Sequence, residues 1–264
     1  MIPNVLTIAG SDPSGGAGIQ ADLKTFSALG GYGMSVITGL TAQNTLGVRG
    51  VSAVPSGFVT DQLDAVFDDV RVDAVKIGML ATADVIEAVA SVLRARRPPY
   101  VVLDPVMVAK GGDRLLAKDA VASLREVLLP LVDLVTPNLP EAADLLGVAE
   151  ASDEREMTAQ AHALAAYGSA VLLKGGHLGG PESPDLLLSS SRVVRLSAPR
   201  IDTKSDHGTG CTLSSAIACL RPQRDDWHSA VVDAKAYLTR ALQAAARLDV
   251  GSGHGPVHHF HAWW

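Results

Sequence analysis

The chain has 264 residues, of which 47% are hydrophobic and 4% aromatic, and its formal net charge is −6 at pH 7. This size and composition fit one large domain whose core is built from small and branched aliphatic side chains. The negative charge argues against a nucleic-acid-binding surface, and no apolar run approaches the roughly 18 residues of a membrane span.

Strand and helix patterns alternate along the chain. Short apolar runs predict strands, and apolar residues three and four positions apart predict helices. The expected strands span residues 5–9, 34–40, 74–77, 100–103, 131–135 and 170–173, with a short hairpin from 186–188 and 192–196. The expected helices span residues 19–29, 63–70, 85–93, 119–130, 140–146, 155–167, a segment that begins near 210, and 227–248. This order predicts an α/β fold, a three-layer α/β/α sandwich with a mostly parallel central sheet.

The sequence contains no internal repeat and no linker, so we expect residues 1–264 to form a single domain. The last segment, 251–264, carries four histidines. Such tails are typically loosely ordered surface, and a metal site there has no further support.

The compartment is expected to be the cytoplasm. The N-terminus leads almost directly into the first apolar strand, without the pattern of a signal peptide. Cys211 and Cys219 lie eight residues apart on one expected helix, too far apart for a disulfide. Two unpaired thiols fit a reducing compartment.

A glycine-rich segment follows the first strand. Gly16, Gly18 and Ala21 match the G-x-G-x-x-A pattern of dinucleotide-binding enzymes. The acidic residue that this pattern requires about 20 positions later is missing, because the next strand ends in 41–44, Thr-Ala-Gln-Asn. A backbone turn and a turn that covers a substrate are the other two interpretations. The chain has no Walker sequence, which argues against a P-loop enzyme.

The most informative segment is 208–212, Gly-Thr-Gly-Cys-Thr, at the start of an expected helix. A glycine-rich turn that enters a helix offers unpaired N–H groups and the positive end of the helix dipole, which together bind anions. Cys211 lies in the first turn, where we expect the thiol pKa to fall. As an alternative, Cys211 is a small residue of the helix start.

Other candidate residues follow predicted strands, where ligands of open α/β sheets bind. Asp104 is a candidate Mg²⁺ ligand or a capping residue. Asn138 and Glu141 lie one helical turn apart and can face one ligand, although such pairs are also common at surfaces. Lys174 ends an apolar strand before two glycines, where it can meet a nucleotide or solvent.

In combination, these segments resemble the ribokinase-like family and, within it, the hydroxymethylpyrimidine/phosphomethylpyrimidine kinases of thiamine biosynthesis. The resemblance covers nearly the whole chain and rests on residues 8–22, 38–44, 76–80, 102–107, 136–142, 173–177 and 207–212.

This resemblance implies a kinase that uses ATP and Mg²⁺, phosphorylates a pyrimidine alcohol and its monophosphate, and forms a homodimer. Cys211 stands where the wider family has an aspartate that acts as base on the substrate hydroxyl. The resemblance also implies that the substrate is bound by Gln43, Met79, Gly10 and Asp22. It implies phosphate binding by Lys174, Gly208, Thr209 and Gly210. Mg²⁺ would be bound by Asn138 and Glu141, with Asp104 nearby.

The chain departs from the family at residues 205–207, which read Ser-Asp-His instead of Asn-Thr-His. Asp206 adds a negative charge beside the expected anion site and should weaken phosphate binding unless it points away or meets Mg²⁺. Alternative functions are a pyridoxal kinase, a non-catalytic nucleotide-binding regulator on the same fold and, with least support, an NAD oxidoreductase.

Overall fold

The computed structural model describes residues 1–108, 112, 115–117 and 119–264. The strands are β1 (Asn4–Gly10), β2 (Tyr32–Asn44), β3 (Gly47–Ala53), β4 (Ala74–Ile77), β5 (Val101–Leu103), β6 (Leu134–Val135), β7 (Ala170–Lys174), β8 (Glu182–Ser189) and β9 (Arg192–Pro199). The α-helices are α1 (Gly18–Ala28), α2 (Ser56–Asp69), α3 (Ala83–Arg96), α4 (Ala120–Ser123), α5 (Leu139–Leu146), α6 (Glu154–Ala165), α7 (Thr209–Leu220) and α8 (Trp227–Gln243).

All described strands join one sheet in the order β3-β2-β1-β4-β5-β6-β7-β8-β9. Strands β2, β1, β4, β5, β6 and β7 run parallel, while β3, β8 and β9 pair antiparallel at the two ends. The expected mostly parallel sheet is therefore confirmed. The strand order reverses around β1, between β2 and β4, which is the point where α/β sheets open a crevice for ligands.

Two hydrophobic cores cover the two faces of the sheet. Successive side chains of β1 alternate between them: Leu6 and Ile8 pack with α2, α3, α5 and α6, whereas Val5 packs with α1, α7 and α8. This alternation follows from the period of two along a strand. It confirms the three-layer arrangement.

Several elements differ from the prediction near residue 130. Helix α4 continues through the π-helical turn Leu124–Leu128 and the 3-10 turn Leu129–Leu131. The following strand therefore shortens to Leu134–Val135. The strand predicted at 34–40 extends to Tyr32–Asn44 and forms an unpredicted hairpin with β3. The hairpin predicted near 186–196 is confirmed as β8 and β9.

The C-terminal segment is packed, so the prediction of a loosely ordered tail was wrong. His258 and His259 are only 2% and 4% exposed. The His258 N–H donates to the Ala241 carbonyl at 3.1 Å, and His259 Nε2 lies 3.1 Å from the Thr212 hydroxyl. These contacts tie the segment to α7 and α8.

In the part of the chain that the structure describes, no helix is both long and apolar enough to cross a membrane.

Candidate active site

A cavity of about 830 Å³ opens at the carboxyl ends of β1, β2, β4, β5 and β7. It lies at the reversal of strand order, where the topology predicts a ligand site. All but one of the expected site residues line it: Gly10, Gln43, Met79, Asp104, Asn138, Glu141, Lys174, Gly208, Thr209, Gly210 and Cys211.

The expected anion site lies where the loop after β9 meets the start of α7. Gly208 is the N-cap of α7 with φ +78°, a left-handed conformation that favours glycine. A Cβ at this position would clash with the Gly16 carbonyl. A Cβ at Gly210 would lie 3.4 Å from Lys174 Nζ and 3.5 Å from Asp104 Oδ2. The two glycines therefore bring helix-start backbone close to the glycine-rich loop and to a charged pair.

That charged pair belongs to a buried cluster of Asp104, Glu141 and Lys174. Lys174 Nζ lies 3.1 Å from Asp104 Oδ1 and 3.8 Å from Glu141 Oε2. Burial raises the pKa of Glu141 to about 7; Lys174 offsets part of this rise, and Asp104 adds to it. Burial alone would lower the pKa of Lys174, but the two carboxylates raise it above its usual range. One ammonium thus faces two carboxylates and compensates for only one of them.

Asn138 and Glu141 form a capping box at the start of α5. Asn138 Oδ1 accepts from the Glu141 N–H at 2.8 Å, and Glu141 Oε2 accepts from the Asn138 N–H at 2.7 Å. The spacing that suggested a shared ligand therefore has a structural role. The same hydrogen bonds hold the Glu141 carboxylate at the cavity wall.

Cys211 lies in the first turn of α7. Its thiol does not have the lowered pKa that was expected from this position. Burial raises its pKa to about 11, and Asp22 and Asp104 add to the rise. The charge of Lys76 and a hydrogen bond from the Gly18 backbone act in the opposite direction. The expectation of a lowered thiol pKa was wrong, because burial and the two carboxylates outweigh Lys76 and the hydrogen bond from Gly18. Cys211 and Cys219 are both free and both lie on α7, as predicted.

The glycine-rich loop after β1 is organised by Asp12. Its carboxylate accepts from the N–H groups of Ser14, Gly16 and Ala17 at 2.9, 3.1 and 2.8 Å, and lies 2.8 Å from His207 Nε2. Burial alone would raise the pKa of Asp12, but the hydrogen bonds from His207, Ser14 and Ala17 hold it well below its usual range. The loop is thus a tight turn that walls the cavity, in agreement with the turn interpretations.

The roles of Asp12 and His207 were not predicted from the sequence. His207 Nε2 also lies 3.3 Å from the Gln43 amide nitrogen, so Asp12 and His207 link the loop to an expected substrate residue. An aspartate directly before a Pro-Ser-Gly-Gly turn was the available signal, because such carboxylates bond the following N–H groups.

The expected substrate residues Gly10 and Met79 are in contact at the inner end of the cavity. A Cβ at Gly10 would overlap Met79 Cε, so any larger residue would require the methionine side chain to move. The Met79 carbonyl also accepts from the Thr38 hydroxyl at 2.5 Å. Met79 is 7% exposed, which gives this end of the cavity an apolar wall.

Asp22 is the expected site residue that does not line the cavity. It is fully buried behind the wall and accepts from the Thr7 and Ser215 hydroxyls, each at 2.6 Å. Lys76 Nζ lies 2.9 and 3.0 Å from its two oxygens. Lys76 lines the cavity instead. A lysine inside the apolar run Ala-Val-Lys-Ile was the available sequence signal, because a buried ammonium needs an anionic partner.

Asp206 lines the cavity near the anion site, and its Oδ1 lies 3.0 Å from His254 Nδ1. The C-terminal segment thus places an imidazole against the carboxylate that departs from the family pattern. Taken together, the cavity combines the glycine-rich start of a helix, a lysine–carboxylate cluster, an apolar wall and a thiol. This combination suits the transfer of a phosphoryl group to a small organic acceptor.

Comparison with known proteins also points to phosphoryl transfer. The family model described as phosphomethylpyrimidine kinase matches residues 12–258. A hydroxymethylpyrimidine/phosphomethylpyrimidine kinase from Salmonella typhimurium is 60% identical over 262 residues, which cover 99% of this chain and 98% of that protein.

Solved structures agree in fold. A phosphomethylpyrimidine kinase from Clostridium difficile 630 is 42% identical with a TM-score of 0.81, covering 92% of this chain and 100% of that one. A pyridoxal kinase from Staphylococcus aureus, in complex with AMP-PCP and pyridoxal, is 32% identical with a TM-score of 0.91, covering 100% and 95% of the two chains.

Proposed function

The chain belongs to the phosphomethylpyrimidine kinase family, and from this premise we propose that it phosphorylates 4-amino-5-hydroxymethyl-2-methylpyrimidine and then its monophosphate with ATP, in thiamine biosynthesis. The observation that carries the proposal is that Cys211, the expected anion site and three of the four expected substrate residues, Gly10, Gln43 and Met79, line one cavity. A volume of about 830 Å³ is large enough for a pyrimidine and the phosphates of a nucleotide together.

We assign the pyrimidine to the end of the cavity lined by Gln43, Met79 and Gly10. The amide of Gln43 can hydrogen-bond to a ring edge, while Met79 supplies apolar contact. Asp22 acts on this site from behind the wall, through Lys76, and not by direct contact.

We assign the phosphates to Lys174 and to the backbone of Gly208, Thr209 and Gly210. Fixed N–H donors and one ammonium would stabilise charge on the transferring group, and positioning of this kind provides most of the catalysis in phosphoryl transfer. In its thiolate form, Cys211 would accept the proton of the attacking hydroxyl, a contribution of roughly 10²- to 10⁴-fold for a general base.

The acidic corner of the cavity fits Mg²⁺. Lys174 lies 3.1 Å from Asp104 and 3.8 Å from Glu141, so one ammonium is shared between two carboxylates, and burial raises the pKa of Glu141 to about 7. Hard divalent cations take carboxylate oxygens together with water and phosphate. We propose Glu141 as the ligand, oriented by Asn138 through the capping box, with Asp104 adding charge while it holds Lys174. Mg²⁺ bound there would neutralise phosphate charge.

We further propose that residues 1–264 act as one domain, that the protein is a homodimer and that it works in the cytoplasm. The continuous sheet supports a single domain. The two free thiols fit a reducing compartment.

The test is ATP-coupled turnover of the pyrimidine alcohol, its monophosphate and pyridoxal by the full chain. We expect the two pyrimidines to have the higher kcat/KM. A pyridoxal kinase is the second candidate, favoured by the structural likeness to the Staphylococcus aureus enzyme. A higher kcat/KM for pyridoxal would establish that alternative, and no turnover of any alcohol would indicate a non-catalytic regulator.

The variant Cys211→Ala tests the role of the thiol. We expect kcat to fall by about 10²-fold or more while KM for ATP changes little, because a general base acts on the acceptor hydroxyl. Cys219→Ala is the matched control, since Cys219 is fully buried on the same helix and should leave kcat unchanged. Near-normal turnover by Cys211→Ala would remove the thiol from the reaction.

A further inference from the structure

Lys76 is a fully buried lysine in the middle of β4, and the mechanism above does not use it directly. Its Nζ lies 2.9 and 3.0 Å from the two oxygens of Asp22, and neither side chain has any exposed surface. A buried charge of this kind is expensive unless it is paired, and one partner alone would leave the other uncompensated.

The Asp22 carboxylate is saturated. Oδ1 accepts from Lys76 and from the Ser215 hydroxyl, and Oδ2 accepts from Lys76 and from the Thr7 hydroxyl. The ammonium has three protons, and Asp22 takes two. The third proton is not used by Asp22, and Lys76 is also one of the residues that line the cavity.

Helix α7 connects this network to the thiol. Ser215 lies four residues after Cys211, hence on the same face of α7. The side that holds Asp22 is therefore the side of Cys211, and Cys211 and Lys76 line the same cavity. Burial raises the pKa of Cys211, and the charge of Lys76 is the largest influence in the opposite direction.

The other charged groups around the thiol come from neighbouring elements. Asp22 on α1 and Asp104 after β5 raise the pKa of Cys211. Lys174 at the end of β7 is a second cation whose charge interacts with the thiol. Lys174 is already paired with Asp104 at 3.1 Å and lies toward Glu141, whereas Lys76 has Asp22 as its salt-bridge partner.

We propose that Lys76 is a positioning residue for the phosphoryl transfer: its ammonium, held by Asp22, faces Cys211 and stabilises the thiolate that accepts the substrate proton. In this step the hydroxyl proton moves to Sγ, the hydroxyl oxygen bonds to the γ-phosphorus, and the bond between that phosphorus and the β–γ bridging oxygen breaks to release ADP. The proposal rests on the proposed function for the identity of the acceptor, but the interaction between Lys76 and Cys211 does not.

The test is the rate of Cys211 alkylation by iodoacetamide as a function of pH, without substrates, in a Cys219→Ala background. In Lys76→Met, the alkylation profile should move to higher pH, and the rate at pH 8 should fall about tenfold if the midpoint of the profile rises by about one pH unit. In Asp22→Asn, which keeps the size of the side chain, the profile should move to lower pH, since an anion is lost and the cation stays. Ser215→Ala removes a hydroxyl without changing charge and is the matched control.

A purely structural role predicts a different pattern, because loosening the wall would expose the thiol and speed alkylation in both Lys76→Met and Asp22→Asn. The proposal would be overturned if the alkylation profile moved in the same direction in both variants, or in neither. If Lys76→Met does not fold, Asp22→Asn decides: failure to accelerate alkylation overturns it. We also expect kcat to fall in Lys76→Met with KM for ATP nearly unchanged. If Lys76→Met and Asp22→Asn shift the alkylation profile in opposite directions but the protein does not turn over pyrimidines, the proposed function is refuted. The interaction between Lys76 and Cys211 is then still supported.

Discussion

At the residue scale, the chemistry of the cavity depends on charged side chains that distant parts of the chain bring together. Cys211, Lys174 and Gln43 line one cavity because each follows a strand or begins a helix at the same edge of the sheet. Whether a charge is paired depends on residues distant in sequence. Lys76 and Asp22 are 54 residues apart, and the burial that raises the Cys211 pKa involves several elements, so local pattern could not predict either.

Gly208 has a left-handed backbone conformation and lies so close to the Gly16 carbonyl that a Cβ would not fit. Gly208→Ala should lower the free energy of unfolding by about 1–2 kcal/mol for the left-handed conformation, with a further loss from the clash with the Gly16 carbonyl. Displacement of the N–H groups should raise KM for ATP about tenfold or more. Urea unfolding and steady-state kinetics measure the two effects.

Gly30→Ala is the control, because Gly30 has the same φ of +78° and nothing within 4 Å of an added Cβ. It should show the conformational loss without the clash and leave KM unchanged. If the two variants lose equal stability and both keep a normal KM, the close approach of Gly208 to the loop is unimportant.

Asp206 adds a negative charge to the cavity lining near the expected anion site, and its Oδ1 lies 3.0 Å from His254 Nδ1. Asp206→Asn should therefore lower KM for ATP by a few fold at low salt. The change should shrink at high salt, since both side chains are partly exposed and the interaction is screened. Asp225→Asn, at an exposed position outside the cavity, is the control. An unchanged KM in Asp206→Asn would mean that this carboxylate does not act on the phosphates.

At the element scale, the spacing of apolar residues predicted the main helices and the parallel strands. The helices bury at least one face against the sheet, and parallel strands such as β1 and β4 are buried on both faces. It failed where tertiary contacts decide. The hairpin of β2 and β3 was missed because β3 is mostly exposed and carries little apolar alternation. The C-terminal segment looked like a polar tail, yet its histidines fill space between α7 and α8 through specific hydrogen bonds.

This packing makes stability sensitive to acid. Burial, together with the charge of Lys24, lowers the pKa of His259 to about 3, whereas an unfolded histidine titrates near 6.5. Below about pH 6.5 the unfolded chain takes up a proton that the folded chain refuses, so the free energy of unfolding decreases as the pH falls. Between pH 7 and 5 this one group should account for about 2 kcal/mol.

His259→Gln should remove that part of the pH dependence while losing some stability at pH 7. Urea unfolding at pH 5 and pH 7 measures it, with His228→Gln, at an exposed position on α8, as the control. An equal loss between pH 7 and 5 in wild type and His259→Gln would show that the acid sensitivity arises elsewhere.

At the scale of the whole molecule, the sheet ends in two different edges. On β9, Arg195 pairs with Glu154 and Glu182, and charged side chains of this kind protect an edge from pairing. The β2–β3 end exposes apolar side chains instead: Leu40 is 52% exposed, Leu46 67% and Val51 43%. An edge strand with exposed apolar residues is suited to contact another copy of the chain.

We therefore expect the proposed homodimer to form through the β2–β3 end. Val51→Lys on β3 should convert the dimer to a monomer in sedimentation equilibrium, because a charge would be buried in the contact. Val193→Lys makes the same change on the opposite edge strand, where Val193 is 36% exposed, and should leave the dimer intact. A dimer that survives Val51→Lys and dissociates in Val193→Lys would place the contact at β9. A monomeric wild type at micromolar concentration would refute the homodimer itself.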